Sequence, residues 1–231
     1  MSGDFGRNIL EILDNFQKEI LVRFGAWKGS GHFYLTGGTA LAEFYLRHRK
    51  SADLDFFTSE EELIAPFSYR VQEQLDFMRA DVQRRRGSES FVELLVRRGE
   101  ETTLIHLARD TPFRLEETRE FPGYPRLKVD SLADLAGNKL LALFGRALLR
   151  DFIDVYCLVK MGKFGEEDLV EKAAVKDPGF DLYWLGVAFE RIKTFKPDAL
   201  DILLLAQPLL FTDLLEFFNR WRDIIADKLS H

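Results

Sequence analysis

Asp53 and Asp55 stand one residue apart in the run ADLDFFT. In an extended chain, residues i and i+2 point to the same side, so the two carboxylates lie side by side with Leu54 turned inward. Two like charges so placed repel unless a cation lies between them. Magnesium is the natural candidate, because it takes oxygen ligands and keeps substrate phosphates in its shell. Two carboxylates on one strand suit ions about 4 Å apart, the spacing used for in-line phosphoryl displacement. Upstream, Gly37 and Gly38 separate the strand-like HFYLT from the helix-like TALAEFYLRHR. Without Cβ atoms the backbone there can approach a ligand closely. The N–H groups of the helix that follows favour an anion. A triphosphate bridging the glycine turn and the metal-bearing aspartates would use both features, with Arg49 or Lys50 neutralising remaining charge. The bland alternative is a turn beside an exposed acidic strand end. A lone GG or a lone Asp-x-Asp is weak; both within Phe33–Thr58 form one functional unit.

The elements that must hold these residues follow from periodicity. Apolar positions from Ile9 to Leu21 repeat at helical spacing and predict a helix over Asn8–Phe24. A strand is expected at His32–Thr36, then a helix with Thr39 as its N-cap. Asp53–Thr58 reads as a second strand. A helix is expected between Pro66 and Met78, and two strands at Phe91–Val96 and Thr103–Arg109, joined by a hairpin at RRGEE. The stretch DTPFRLEETREFPGYPRL holds Pro112, Pro122 and Pro125 and reads as a loop-rich crossover and domain boundary. Beyond Asp130 the pattern is helical nearly to the end. Ser131 and Asp134 have capping-box spacing, and breaks fall at KDPGF and FKPDAL. The expectation is an α+β protein: a mixed sheet with flanking helices over residues 1–125, then a helical bundle over 126–231.

Composition narrows the partners. The chain has 231 residues, 46% hydrophobic, with net charge −6. That charge excludes a general nucleic-acid coat, which needs a Lys/Arg excess. Local basic clusters exist at Arg47–Lys50, Arg84–Arg86 and Arg97–Arg98; the last two read mainly as solvated faces, with Arg84–Arg86 a weak pointer to RNA. The single cysteine, Cys157, excludes an intrachain disulfide and a cysteine-rich zinc site, and reads as a core thiol. The start MSGDFGRNILEIL lacks a signal-peptide pattern, and ILLLAQPLLF is too short and too interrupted to span a membrane. A cytoplasmic protein is expected.

The segment resembles the polymerase-beta-type nucleotidyltransferases, in which a GG or GS turn precedes an Asp-x-Asp strand. It is most similar to the AbiEii/AbiGii toxin family: Gly37-Gly38-Thr39-Ala40-Leu41, then Arg49, Ser51, Asp53, Leu54, Asp55, Phe56, Phe57. The likeness extends to DLAGNKLLALFGRALLRDFIDVYCL, through Asn138, Lys139, Ala142, Leu143, Arg146, Arg150, Asp151 and Asp154. It implies an enzyme that transfers a nucleoside monophosphate from a nucleoside triphosphate with magnesium and releases pyrophosphate. It also implies tRNA as an acceptor for some members, and a toxin encoded beside an antitoxin in phage defence. Carried over by position, Asp53 and Asp55 hold metal; Gly37, Gly38, Thr39, Arg49 and Ser51 bind nucleotide; Lys139 meets the triphosphate as a point charge. Asp151 either orients basic side chains or takes part in proton removal on the acceptor side.

The superfamily's third carboxylate is expected on TTLIHLARD, where this chain has His106. Imidazole is a poor magnesium ligand, and a lone histidine in an apolar strand is more often structural. Asp110 could substitute from a shifted strand end, Glu93 is a weaker third acid, two aspartates could suffice, or catalysis could be weakened or lost. His32, His48 and His231 show no constellation around them. The second function class is therefore a catalytically silent nucleotide-binding or partner-binding protein of the same fold. Base preference and acceptor are not readable from the residues.

Overall fold

The computed structural model describes residues 11–111 and 113–230. The first seven residues of the expected Asn8–Phe24 helix divide between the undescribed terminus and a short lead-in; Pro112 and His231 also lie outside the described residues. Helix α1 runs Asn15–Phe24 and starts at Asp14, whose carboxylate accepts from Gln17 N at 2.7 Å while Gln17 returns a bond to the Asp14 backbone. Strand β1 (Tyr34–Thr36) leads into α2 (Gly37–Leu41), which widens into a π turn over Ala42–Leu46 and stops at Arg47 in the left-handed region. Helix α2 thus begins at Gly37 with Thr36 as its cap, which corrects the expected N-cap at Thr39. Strand β2 is Asp53–Thr58 and helix α3 is Ile64–Phe77.

Strands β3 (Asp81–Gly87), β4 (Phe91–Arg98) and β5 (Glu101–Arg109) form a meander. Strands β6 (Arg119–Phe121) and β7 (Tyr124–Val129) form a hairpin inside the proline-rich stretch, where a crossover loop was expected. The seven strands make one mixed sheet in the order β3-β4-β5-β2-β1-β7-β6. Parallel pairing of β2 with β5 sets Asp55 beside His106, and β4 sets Glu93 on the other side of that histidine.

The two faces of β2 divide by chemistry. Leu54 and Phe56 are fully buried, and Phe24 of α1 stacks on Phe56 at 3.8 Å between ring centroids. Phe67 of α3 stacks on Phe33 at 4.3 Å, closing the same layer. Asp53 and Asp55 point to the opposite face. Gln17, buried on α1, donates to the carbonyls of Ser51 and Ala52 and fixes the chain just ahead of Asp53.

The rest of the chain is helical: α4 (Leu132–Arg146), α5 (Leu149–Lys160), α6 (Glu166–Lys176), α7 (Leu182–Glu190) and α8 (Phe211–Leu229). Ser131 caps α4, accepting from Asp134 N at 2.9 Å. Aromatic contacts tie α8 to α5 and α7, with Phe152 and Phe218 4.9 Å apart and Phe189 and Trp221 5.0 Å apart. The loop after α7 returns to the segment leaving α2: Arg49 and Leu205 form an antiparallel bridge, and Ala206 N donates to His48 O at 2.8 Å. Among the described residues no helix is long and apolar enough to cross a membrane.

Candidate active site

Strand β2, the glycine turn and the helices α4 and α5 meet around a polar cleft of about 140 Å³. Its lining unites Gly37, Gly38, Arg49, Ser51, Asp53, Asp55 and Lys139, and adds His106, Arg146 and Arg150. The two glycines are required by contact. At Gly37 the backbone has φ +75°, and any Cβ would collide with the Asp55 carboxylate. At Gly38 a Cβ would fall 2.8 Å from Arg49 Nη2 and 2.9 Å from Ser51 Oγ.

Thr39 is turned away from the cleft. It is buried, and its hydroxyl donates to the Asp53 carbonyl at 2.5 Å, so its side chain fixes the start of β2. Asp151 is likewise outside the cleft wall. Its oxygens accept from Arg146 Nε and Nη2 at 2.9 and 2.8 Å and from Leu148 N at 3.1 Å. Asp151 thus pairs with Arg146, a residue of the cleft lining, a contact of the kind the orienting role requires.

A buried charge cluster backs the site. Asp154 on α5 is inaccessible and accepts from Arg49 Nε (2.7 Å), Arg49 Nη2 (2.9 Å) and His48 Nε2 (2.8 Å), with Lys139 Nζ 2.7 Å away. Burial alone would raise its pKa, but Lys139, Arg49 and His48 outweigh burial and hold the carboxyl well below its usual range. His48 therefore belongs to this cluster, which its sequence surroundings did not suggest. Burial of Arg49 and Lys139 fixes two positive charges at the cleft wall.

Strand pairing fills the third-acid position with His106, whose Nδ1 lies 2.7 Å from Asp55 Oδ1 and whose Nε2 lies 3.4 Å from Glu93 Oε2. Burial lowers the pKa of this imidazole, yet the bond to Asp55 and the charges of Asp55, Asp53 and Glu93 raise it on balance. Asp110 does not substitute: it accepts from Tyr34 Oη and Thr111 N beyond the far end of β5. Asp53 is raised by its own burial and then by Asp55, with Arg150 Nη1 no nearer than 4.0 Å. Among the described residues no three His, Cys, Asp or Glu side chains form a metal-holding group.

Arg146 and Arg150 entered the sequence reading only as parts of a motif. Their arrival in the cleft depends on the α4–α5 corner, where Ala147 is in the left-handed region.

Comparison with solved structures gives the same architecture. An H. pylori protein assigned as a nucleotidyltransferase superposes with a TM-score of 0.61 at 20% identity, over 94% of this chain and 98% of that one. MenT4, a nucleotidyltransferase toxin from Mycobacterium tuberculosis, gives 0.59 at 20% identity, over 92% and 82%. JHP933 from Helicobacter pylori gives 0.53 at 21% identity, over 93% of each. These likenesses establish the fold. No curated protein matches the chain. The family described as "Nucleotidyl transferase AbiEii toxin, Type IV TA system" matches residues 19–227. With that match spanning both the sheet and the helices that close the cleft, the chain belongs to the AbiEii nucleotidyltransferase toxin family.

Proposed function

We propose that the protein transfers a nucleoside monophosphate from a nucleoside triphosphate to an acceptor hydroxyl, with transfer RNA as the first acceptor to test, and that it acts as a toxin restrained by an antitoxin protein. The observation that carries this reading is the meeting, in one cleft, of two aspartates, a glycine turn and four cations. Arg49, Lys139, Arg146 and Arg150 bring four cationic side chains to the same cleft lining as Asp53 and Asp55. Asp154 and Asp151 hold three of those cations in place, so little ordering remains to be done on binding. Gly37 and Gly38 let the Asp55 carboxylate, the Arg49 guanidinium and the Ser51 hydroxyl close directly against the turn.

The donors fit magnesium. Asp53 and Asp55 are hard oxygen ligands on one strand face, and the Asp53 carboxyl is raised first by its burial and then by the neighbouring Asp55 charge, both of which a cation would offset. Asp53 and Asp55 would hold the ion, which would supply charge neutralisation for the phosphates and the departing pyrophosphate. The protein's own part is positional: the cations align the triphosphate, and the acceptor hydroxyl oxygen bonds to the α-phosphorus as the bond to pyrophosphate breaks, its proton released to water.

Full-length protein incubated with labelled nucleoside triphosphates, magnesium and total tRNA tests the reading. Transfer of label is expected, and Asp53→Asn should reduce it by about 10³-fold or more with an unchanged circular dichroism spectrum. Transfer by that variant at the wild-type rate would refute the assignment. Nucleotide binding without transfer to any acceptor would favour the silent module.

A further inference from the structure

Beyond the cleft the sheet stays open on one face. Strand register sets Asp55, His106, Glu93 and Arg86 in one row across β2, β5, β4 and β3, with their side chains on the same face. Helix α3 packs on the other face, where Val92, Leu94, Val96, Ile105 and Leu107 are fully buried. On the cleft face Arg86, Arg97 and Thr102 are exposed and Phe91 is half-buried. We infer that this open face is the acceptor platform, and that it takes a single-stranded RNA end, with a base stacked on Phe91 and phosphates at Arg86 and Arg97.

The chemistry sets the direction of approach. In-line displacement brings the incoming oxygen from the side opposite the departing pyrophosphate. Arg49 lies against Gly38, which follows β1, and Asp154 ties Lys139 to Arg49. Strands β5, β4 and β3 extend from the other side of β2, so the acceptor enters over them. The arginines along that path divide by face. Those turned to the covered face are occupied: Arg84 Nη2 donates to Ser68 Oγ at 2.6 Å, and Arg98 Nη1 to Glu19 Oε2 at 2.6 Å. Among the described residues Arg86 and Arg97, turned to the cleft face, make no ion pair, even though Asp81 stands opposite Arg97 in the register. Glu93, the other acid of this face, is engaged with His106. The Phe91 ring lies 5.6 Å from that of His106, a residue of the cleft lining, so platform and cleft are continuous. Arg86 is three strand spacings, about 14 Å, from Asp55. Unpaired bases can leave their neighbours to stack on an aromatic side chain while their phosphates meet arginines; a duplex keeps its bases stacked inside.

The direction of approach rests on the nucleotidyl-transfer reading; the open face and its unpaired arginines do not. Fluorescence anisotropy of the full-length protein with labelled oligo(U), total tRNA and an RNA duplex, over a salt series, tests the platform. Oligo(U) and tRNA are expected to bind more tightly than the duplex. Arg86→Gln and Arg97→Gln should each flatten the slope of log affinity against log salt by about 0.7, and Phe91→Leu should weaken binding about tenfold. Calorimetric affinity for the triphosphate should stay unchanged in all three variants. RNA affinity and salt slope unchanged in the variants would overturn the platform, as would loss from them of a cross-linked second copy or protein partner with RNA binding intact. Label transfer by a wild-type chain that binds no RNA would overturn it too, while the catalytic reading stood. RNA binding that depends on these residues, without transfer of label, would support the platform while the catalytic reading fell.

Discussion

Gly37 touches Asp55 so closely that its missing side chain is part of the site. Gly37→Ala should abolish transfer, because the new methyl displaces the Asp55 carboxylate, and should cost about 1–2 kcal/mol from the positive φ. Activity and a urea melt on one preparation check both effects. Asp151→Asn keeps an acceptor for Leu148 N but removes the charge that pairs with Arg146. The expected result is a rise of about tenfold in KM for the triphosphate, with a smaller change in kcat. At this scale the sequence was informative wherever chemistry follows from local spacing. Asp53, Asp55, Gly37 and Gly38 lie in one contiguous strand-helix-strand unit, and Ser51 lies within it. What local spacing could not show was who holds whom: Arg49 and Asp154 are 105 positions apart, and nothing near either names the other. Thr39 shows the same limit, since a residue typical of a cap is instead a buried brace for β2.

Ser131 and Asp134 show an element boundary that short-range spacing does specify. Ser131 Oγ accepts from Asp134 N, while the Asp134 carboxylate accepts from the backbone N–H groups of Leu115 and Glu116 and pairs with Lys176. Ser131→Ala should cost about 1 kcal/mol and lower Tm by about 2–4 °C, measured by calorimetry. Strands β2, β4 and β5 were legible because they are apolar and near-continuous. Strand β3, DVQRRRG, was not: it is the sheet edge, mostly exposed, and its arginines read as a solvated basic run. Strands β6 and β7 escaped because β6 has three residues and β7 carries Pro125, a residue that argues against a strand. The last strand crosses residue 125 and ends at Val129, so the sheet and the first helix after it are separated by only two residues.

Across the whole molecule, Asp154 joins a helix of the second half to a loop of the first. Asp154→Asn would leave Arg49 and Lys139 buried without a counter-charge and should cost about 3–5 kcal/mol in a urea titration. The pH dependence follows from the sign of the shift. The folded carboxyl lies below its unfolded value, so its contribution is complete above the ordinary carboxylate range, near pH 4, and is lost as pH falls through the folded value. Wild-type stability should therefore drop on acidification below about pH 4, and the drop should be shallower in Asp154→Asn. The bridge between Arg49 and Leu205 has a consequence for how such a chain is made. Asp53 and Asp55 leave the ribosome long before Lys139 and Asp154, by about 5–20 s at usual elongation rates. The clamp from Leu205 arrives later still. A nascent chain thus carries its acidic pair before Lys139, Arg146 and Arg150 exist beside it, so under the proposed function transfer is expected only once synthesis is nearly done.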